Sequence, residues 1–105
     1  MKEKVIEITK NGGVLITMTY ATPVRRDEAE KRLNSFMKHN FKNKAYISNT
    51  HDASNDSKRV HHHIIASGIE TKDIEVLWLY GRILISKISD STEGFKAANY
   101  IFAGN

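Results

Sequence analysis

The chain has no cysteine. That excludes disulfides, thiolate zinc sites and cysteine nucleophiles, and it leaves the redox compartment undetermined. No apolar run is long enough to span a membrane. The N-terminus, Met1-Lys2-Glu3-Lys4, leads into a short mixed segment without the apolar core of a signal peptide. An intracellular, cytoplasmic protein with no membrane partner is therefore expected. There is no internal repeat and no low-complexity tract. Excess charge is also scarce: a net +4 over 105 residues permits a polyanionic partner without establishing one.

What is present fits one folded unit. A chain that is 40% hydrophobic and 27% charged belongs with globular proteins, and 105 residues suffice for one modest core. Val5 to Thr9 has strand character, and Asn11-Gly12-Gly13 signals a turn. Val14 to Ala21 is rich in β-formers, so the first two elements read as a hairpin, ended by the single proline, Pro23. Asp27 with Glu30 resembles a capping box, and Ala29, Leu33, Phe36, Met37 and Phe41 repeat at helical spacing. A third strand is expected over 44–50, a polar loop over 52–57 and a fourth strand over 58–67. Thr71 is placed to cap a second helix carrying Ile74, Leu77 and Trp78, with Gly81 as its stop. A fifth strand over 82–88 and a last helix from Asp90-Ser91-Thr92 to about Ala103 complete the order ββαββαβα. The fold class is α+β, a ferredoxin-like (RRM-like) sandwich with a five-stranded, mostly antiparallel sheet.

The chemistry concentrates in the fourth strand, which opens on His61-His62-His63. Alternation puts His61 and His63 on one face and sends His62 to the other, toward packing. Two imidazoles on one rigid strand make half of a divalent-metal site. His51, at the end of the preceding strand, is the expected third ligand, with Asp52 as the fallback oxygen donor. In the last helix, Phe95, Ala98 and Phe102 form the apolar stripe, and Tyr100 lies off it. Lys96 stands one turn before Tyr100 on the same face. A tyrosine turned away from its helix's core side, with a lysine beside it, is a candidate phenolic nucleophile. Tyr20, Tyr46 and Tyr80 sit in or beside apolar runs and read as packing residues.

Taken in order, these stretches resemble the HUH endonucleases, the rolling-circle replication initiators of phages and plasmids. Thr19 to Phe36 (TYATP…DEAEKRLNSF) looks like the strand-to-helix entry of those domains. Tyr46-Ile47 through His51 occupies the place of the third ligand. His61-His62-His63-Ile64-Ile65 followed by Gly68 looks like the histidine–hydrophobic–histidine motif. Leu77-Trp78, Gly81-Arg82, Glu93-Gly94 and Asn99-Tyr100-Ile101 resemble the stretch leading to the catalytic tyrosine. The resemblance implies one HUH-type nuclease domain over 1–105, with His51, His61 and His63 as metal ligands and Tyr100 as nucleophile. It implies nicking and joining of single-stranded DNA, or of an origin hairpin, through a 5′-phosphotyrosine, with host replication proteins as further partners. The expected cofactor is Mn²⁺ or Mg²⁺, with Zn²⁺ a further option. Two departures stand out. The third ligand of the family is typically acidic, whereas His51 stands here, which shifts preference toward softer ions. The family's lysine one turn after the tyrosine is replaced by Ala103 and Gly104, and Lys96 is the substitute at hand. Arg25, Arg26, Lys58, Arg59 and Arg82 are candidates to line the DNA path. Ending five residues after Tyr100, the chain fits either a minimal nuclease or a fragment of a longer initiator. The alternative is a non-catalytic nucleic-acid-binding domain of ferredoxin-like fold, as RNA-recognition modules are.

Overall fold

The computed structural model describes residues 2–51, 60–69, 72 and 78–102. Its elements are α1 (Lys2–Thr9), β1 (Gly13–Met18), α2 (Arg26–Asn40), β2 (Tyr46–His51), β3 (His61–Ala66), β4 (Ile83–Ile88) and α3 (Ser91–Phe102). The four strands form one antiparallel sheet in the order β2-β3-β1-β4. The expected five-stranded sandwich and its ββαββαβα order do not hold. The segment read as a first strand is the helix α1, so the opening hairpin is a helix followed by a strand.

The physical reason lies in which residues are covered. Val5, Ile8 and Thr9 are buried while Ile6 is exposed. That is an i, i+3, i+4 face, which only a helix presents to one side. The β-branched composition suggested a strand, but packing against α3 overrides that preference. Gly12, at φ +94°, turns the chain out of α1, its N–H donating to the Thr9 carbonyl at 2.9 Å. A positive φ there suits a residue without a Cβ.

Helices cover both faces of the sheet. On one face, Val14, Ile16 and Met18 of β1 and Ile64 of β3 pack with Ala29, Leu33, Phe36 and Met37 of α2. On the other, Leu15, Ile47, Ile65 and Ile88 meet Val5 and Ile8 of α1 and Ala98 and Ile101 of α3. Alternate side chains of β1 and β3 thus feed two separate cores, as the period of two requires. The helix α2 starts without a capping box. Arg25 takes the cap position in extended conformation, and no side chain caps the helix. Asp27 lies inside the first turn, where it accepts the Glu28 N–H at 2.9 Å, and Glu30 pairs with Arg26 at 2.8 Å. Phe41 falls just past the helix end and is buried there. The cap of α3 is Asp90: its Oδ1 accepts the Glu93 N–H at 3.0 Å, while Glu93 accepts the Ser89 N–H at 2.6 Å. The latter bond is the main reason the Glu93 carboxyl titrates below its usual range.

The expected polar loop over 52–57 lies outside the described residues, as does most of the expected helix from Thr71, including Ile74 and Leu77. Trp78 is described. It is buried, donates from its ring nitrogen to the Thr19 carbonyl at 2.8 Å, and stands edge-on to Tyr20 and Phe36.

Candidate metal centre

Strand pairing brings the histidines together. His51 of β2 is the cross-strand partner of His61 on β3, and Asn49 is the partner of His63. Residues 49, 51, 61 and 63 therefore share one sheet face, together with Thr17, which faces His63 from β1. One ring nitrogen from each of His51, His61 and His63 lies within 4.8 Å of the other two. The His51 and His61 rings stack, with centroids 4.9 Å apart and planes within 5° of parallel. His63 stands perpendicular to both, 4.9 Å from His51 and 5.1 Å from His61.

The donor chemistry suits a divalent cation. Burial, with the His61 and His51 charges adding to it, lowers the His63 pKa to about 4, so its ring is neutral near pH 7. A neutral imidazole offers a lone pair. Thr17 Oγ1 lies 3.0 Å from His63 Nδ1. With the proton on Nδ1 the threonine oxygen accepts it and Nε2 keeps the lone pair, a common way of fixing a ligand's tautomer. Three imidazoles also leave coordination positions open for a substrate.

Tyr100, on α3, completes the arrangement. Its ring centroid is 5.7 Å from that of His63, and the residue is 67% exposed, so the phenol is accessible from solvent. The carbonyl of the next residue, Ile101, accepts a hydrogen bond from Asn49 Nδ2 at 2.6 Å.

His62 points the other way. It is fully buried in the α2-side core, where Tyr20 Oη lies 2.7 Å from Nε2 and Thr50 Oγ1 2.8 Å from Nδ1. Burial lowers its pKa to about 4 and raises that of Tyr20 to about 12. Both groups stay neutral and bonded through the physiological range.

The other candidates are placed less centrally. Lys96 is exposed and lines a shallow cleft with Ile6, Ser91, Thr92 and Phe95, toward the first turn of α3. Arg25 pairs with Asp27 at 3.4 Å and Arg26 with Glu30 at 2.8 Å, so local carboxylates already engage both charges. Arg82 is exposed, its carbonyl accepting the Thr19 N–H at the end of the β1–β4 pairing. Lys58, Arg59 and the fallback ligand Asp52 lie outside the described residues. Of the expected packing tyrosines, Tyr20 is buried, Tyr46 half-buried and Tyr80 45% exposed, with the Arg32 guanidinium 4.4 Å above its ring centre.

Thr17 and Asn49 are missing from the sequence expectations. Strand alternation alone would have put Asn49 on the face of His51, two residues away. Nothing local signals its bond to α3, or that Thr17 pairs with His63, because both depend on tertiary register.

No helix among the described residues is long and apolar enough to cross a membrane. No family model matches the chain, and no curated protein matches it. Among solved structures, it is similar to the crystal structure of the hypothetical protein ORF119 from Sulfolobus islandicus rod-shaped virus 1. The TM-score is 0.48 and the identity 16%, over 99% of this chain and 92% of that one. A likeness of that degree carries no argument about activity.

Proposed function

We propose that the chain is a metal-dependent nuclease of HUH type that nicks and rejoins single-stranded DNA, with Tyr100 as nucleophile. The observation that carries this reading is the exposed Tyr100 ring beside His63, within a cluster of three histidines whose nitrogens converge. His51, His61 and His63 would hold a divalent ion, Mn²⁺, Mg²⁺ or Zn²⁺. Bound there, the ion supplies Lewis-acid polarisation of a phosphate oxygen.

The chain's own groups do the rest. The Tyr100 oxygen attacks phosphorus as the bond to the 3′ oxygen breaks. The phenol proton is lost to solvent, and the departing 3′ oxygen takes one up. The products are a 5′-phosphotyrosine and a free 3′-hydroxyl. The reverse attack reseals the strand without ATP, because the covalent bond conserves the phosphodiester's energy. Exposure of Tyr100 favours an unpaired strand or an extruded hairpin, whose backbone is open to it. Lys96 supplies positive charge one turn before the phenol, and Arg82 an exposed cation for the incoming backbone. On this reading residues 1–105 act as one nuclease domain inside the cell, at an origin of rolling-circle replication and alongside host replication proteins.

Incubation with Mn²⁺ and pooled single-stranded origin oligonucleotides tests it. The wild type should give a protein–DNA adduct that survives denaturing electrophoresis, and Tyr100→Phe should give none. An adduct that persists in Tyr100→Phe rules out this nucleophile. A metal-independent, purely non-covalent shift favours a binding domain.

A further inference from the structure

We propose that Asn49 is the positioning residue that sets the tyrosine helix over the histidine cluster. The proposal rests on the strand-nicking reading above, because it concerns where that reading needs the phenol to be.

Asn49 occupies the centre of the site's geometry. Across the sheet it is the partner of His63, and along its own strand it is two residues from His51. Its side-chain amide donates to the Ile101 carbonyl at 2.6 Å and lies 3.4 Å from His51 Nε2. A carbonyl only accepts, so the amide nitrogen must be the end that faces α3. Ile101 falls in the last turn of α3, where backbone carbonyls lack a partner within the helix. A sheet residue thus satisfies a helix terminus, and it does so one residue from Tyr100.

Beside the ring contact of Tyr100 with His63, the packing of α3 on the sheet at this level is apolar among the described residues. Ala98 and Ile101 pack with Ile47 and Ile65. Such burial is strong but non-directional, and it lets a helix slide or roll. A short hydrogen bond has a fixed length and angle. It fixes both the height and the rotation of the last turn, and with them the direction of the Tyr100 ring. A misplacement of about 1 Å at the reacting atoms can cost on the order of a hundredfold in rate. The bond from Asn49 therefore bears on the reaction although Asn49 touches no reacting atom.

The test uses the full chain with Asn49→Leu, which is similar in size and lacks the donor, and Asn49→Gln, which retains an amide. Three readouts are taken: Mn²⁺ affinity by titration, paramagnetic broadening of the Tyr100 ring resonances by bound Mn²⁺, and the single-turnover rate of adduct formation. Asn49→Leu should bind Mn²⁺ within about threefold of wild type, with Tyr100 broadening reduced and adduct formation at least tenfold slower. Asn49→Gln should recover part of both losses. Unchanged broadening and rate in Asn49→Leu overturn the proposal. So does a fall in Mn²⁺ affinity as large as the fall in rate, since Asn49 would then support the ligands rather than the helix. If Asn49→Leu leaves the protein unfolded, Asn49→Ala, which also lacks the donor, decides, and wild-type broadening and rate in it overturn the proposal. Reduced broadening with no adduct even from the wild type keeps the positioning role and ends the nuclease reading.

Discussion

His62 shares a strand with two candidate ligands, and its ring is committed elsewhere. Its two nitrogens are taken by Tyr20 and Thr50, and burial holds its pKa near 4, against 6.5 for an exposed imidazole. The folded state therefore refuses a proton that the unfolded chain accepts. Stability from this group is complete above the unfolded pKa and is lost as pH falls from about 6.5 toward 4. The whole shift is worth roughly 3 kcal/mol. His63, lowered in the same direction, adds to the slope. Urea unfolding at pH 7.5, 6, 5 and 4 should show a midpoint that falls steadily below about pH 6.5, and His62→Leu should give a visibly flatter curve. A midpoint independent of pH in that window would contradict a buried neutral His62.

At the scale of elements, α3 carries the phenol, and its seat against α1 depends on one glycine. A Cβ on Gly94 would run into the Thr9 side chain, which is itself buried and bonded to the Val5 carbonyl at 2.7 Å. Helix propensity alone would make Gly94→Ala stabilising by about 1 kcal/mol. Overpacking should win, with a net loss of about 1–3 kcal/mol by urea denaturation and, on the proposed nuclease reading, slower adduct formation as α3 shifts. This contact also explains what the sequence hid. Val5, Ile6 and Ile8 satisfy a strand pattern as well as a helical one, and the choice is made by α3, which lies some eighty residues away. The histidine strand was legible because three imidazoles followed by Ile64 and Ile65 alternate between two cores. His51 was legible as the neighbour of His61 because an antiparallel pair joins the strands that carry them. Thr17 and Asn49 were not, since their roles arise from register across strands distant in sequence.

At the scale of the molecule, the candidate ligands lie on two adjacent strands, so a bound ion would cross-link β2 to β3. Ligand bound only to the folded state stabilises it by mass action, about 2.7 kcal/mol at a hundred times Kd. Thermal unfolding with Mn²⁺ or Zn²⁺ should move to higher temperature, and EDTA should reverse the shift. His51→Ala, His61→Ala or His63→Ala should abolish it. An equal shift in all three variants would place the binding elsewhere.

The registers of β1, β2 and β3 have one more consequence. Three identical side chains in a row carry no mark of their own phase, so β3 could in principle be read one position out of step. A displacement by one residue would put a single imidazole where two now stand, and would push two into the α2-side core, where Tyr20 and Thr50 are spaced to receive one. The wrong alignment thus breaks up the candidate metal site and buries a second imidazole beyond the one that Tyr20 and Thr50 can bond. Room for one bonded imidazole on the α2 side sets the frame of the triplet and leaves His61 and His63 on the opposite face.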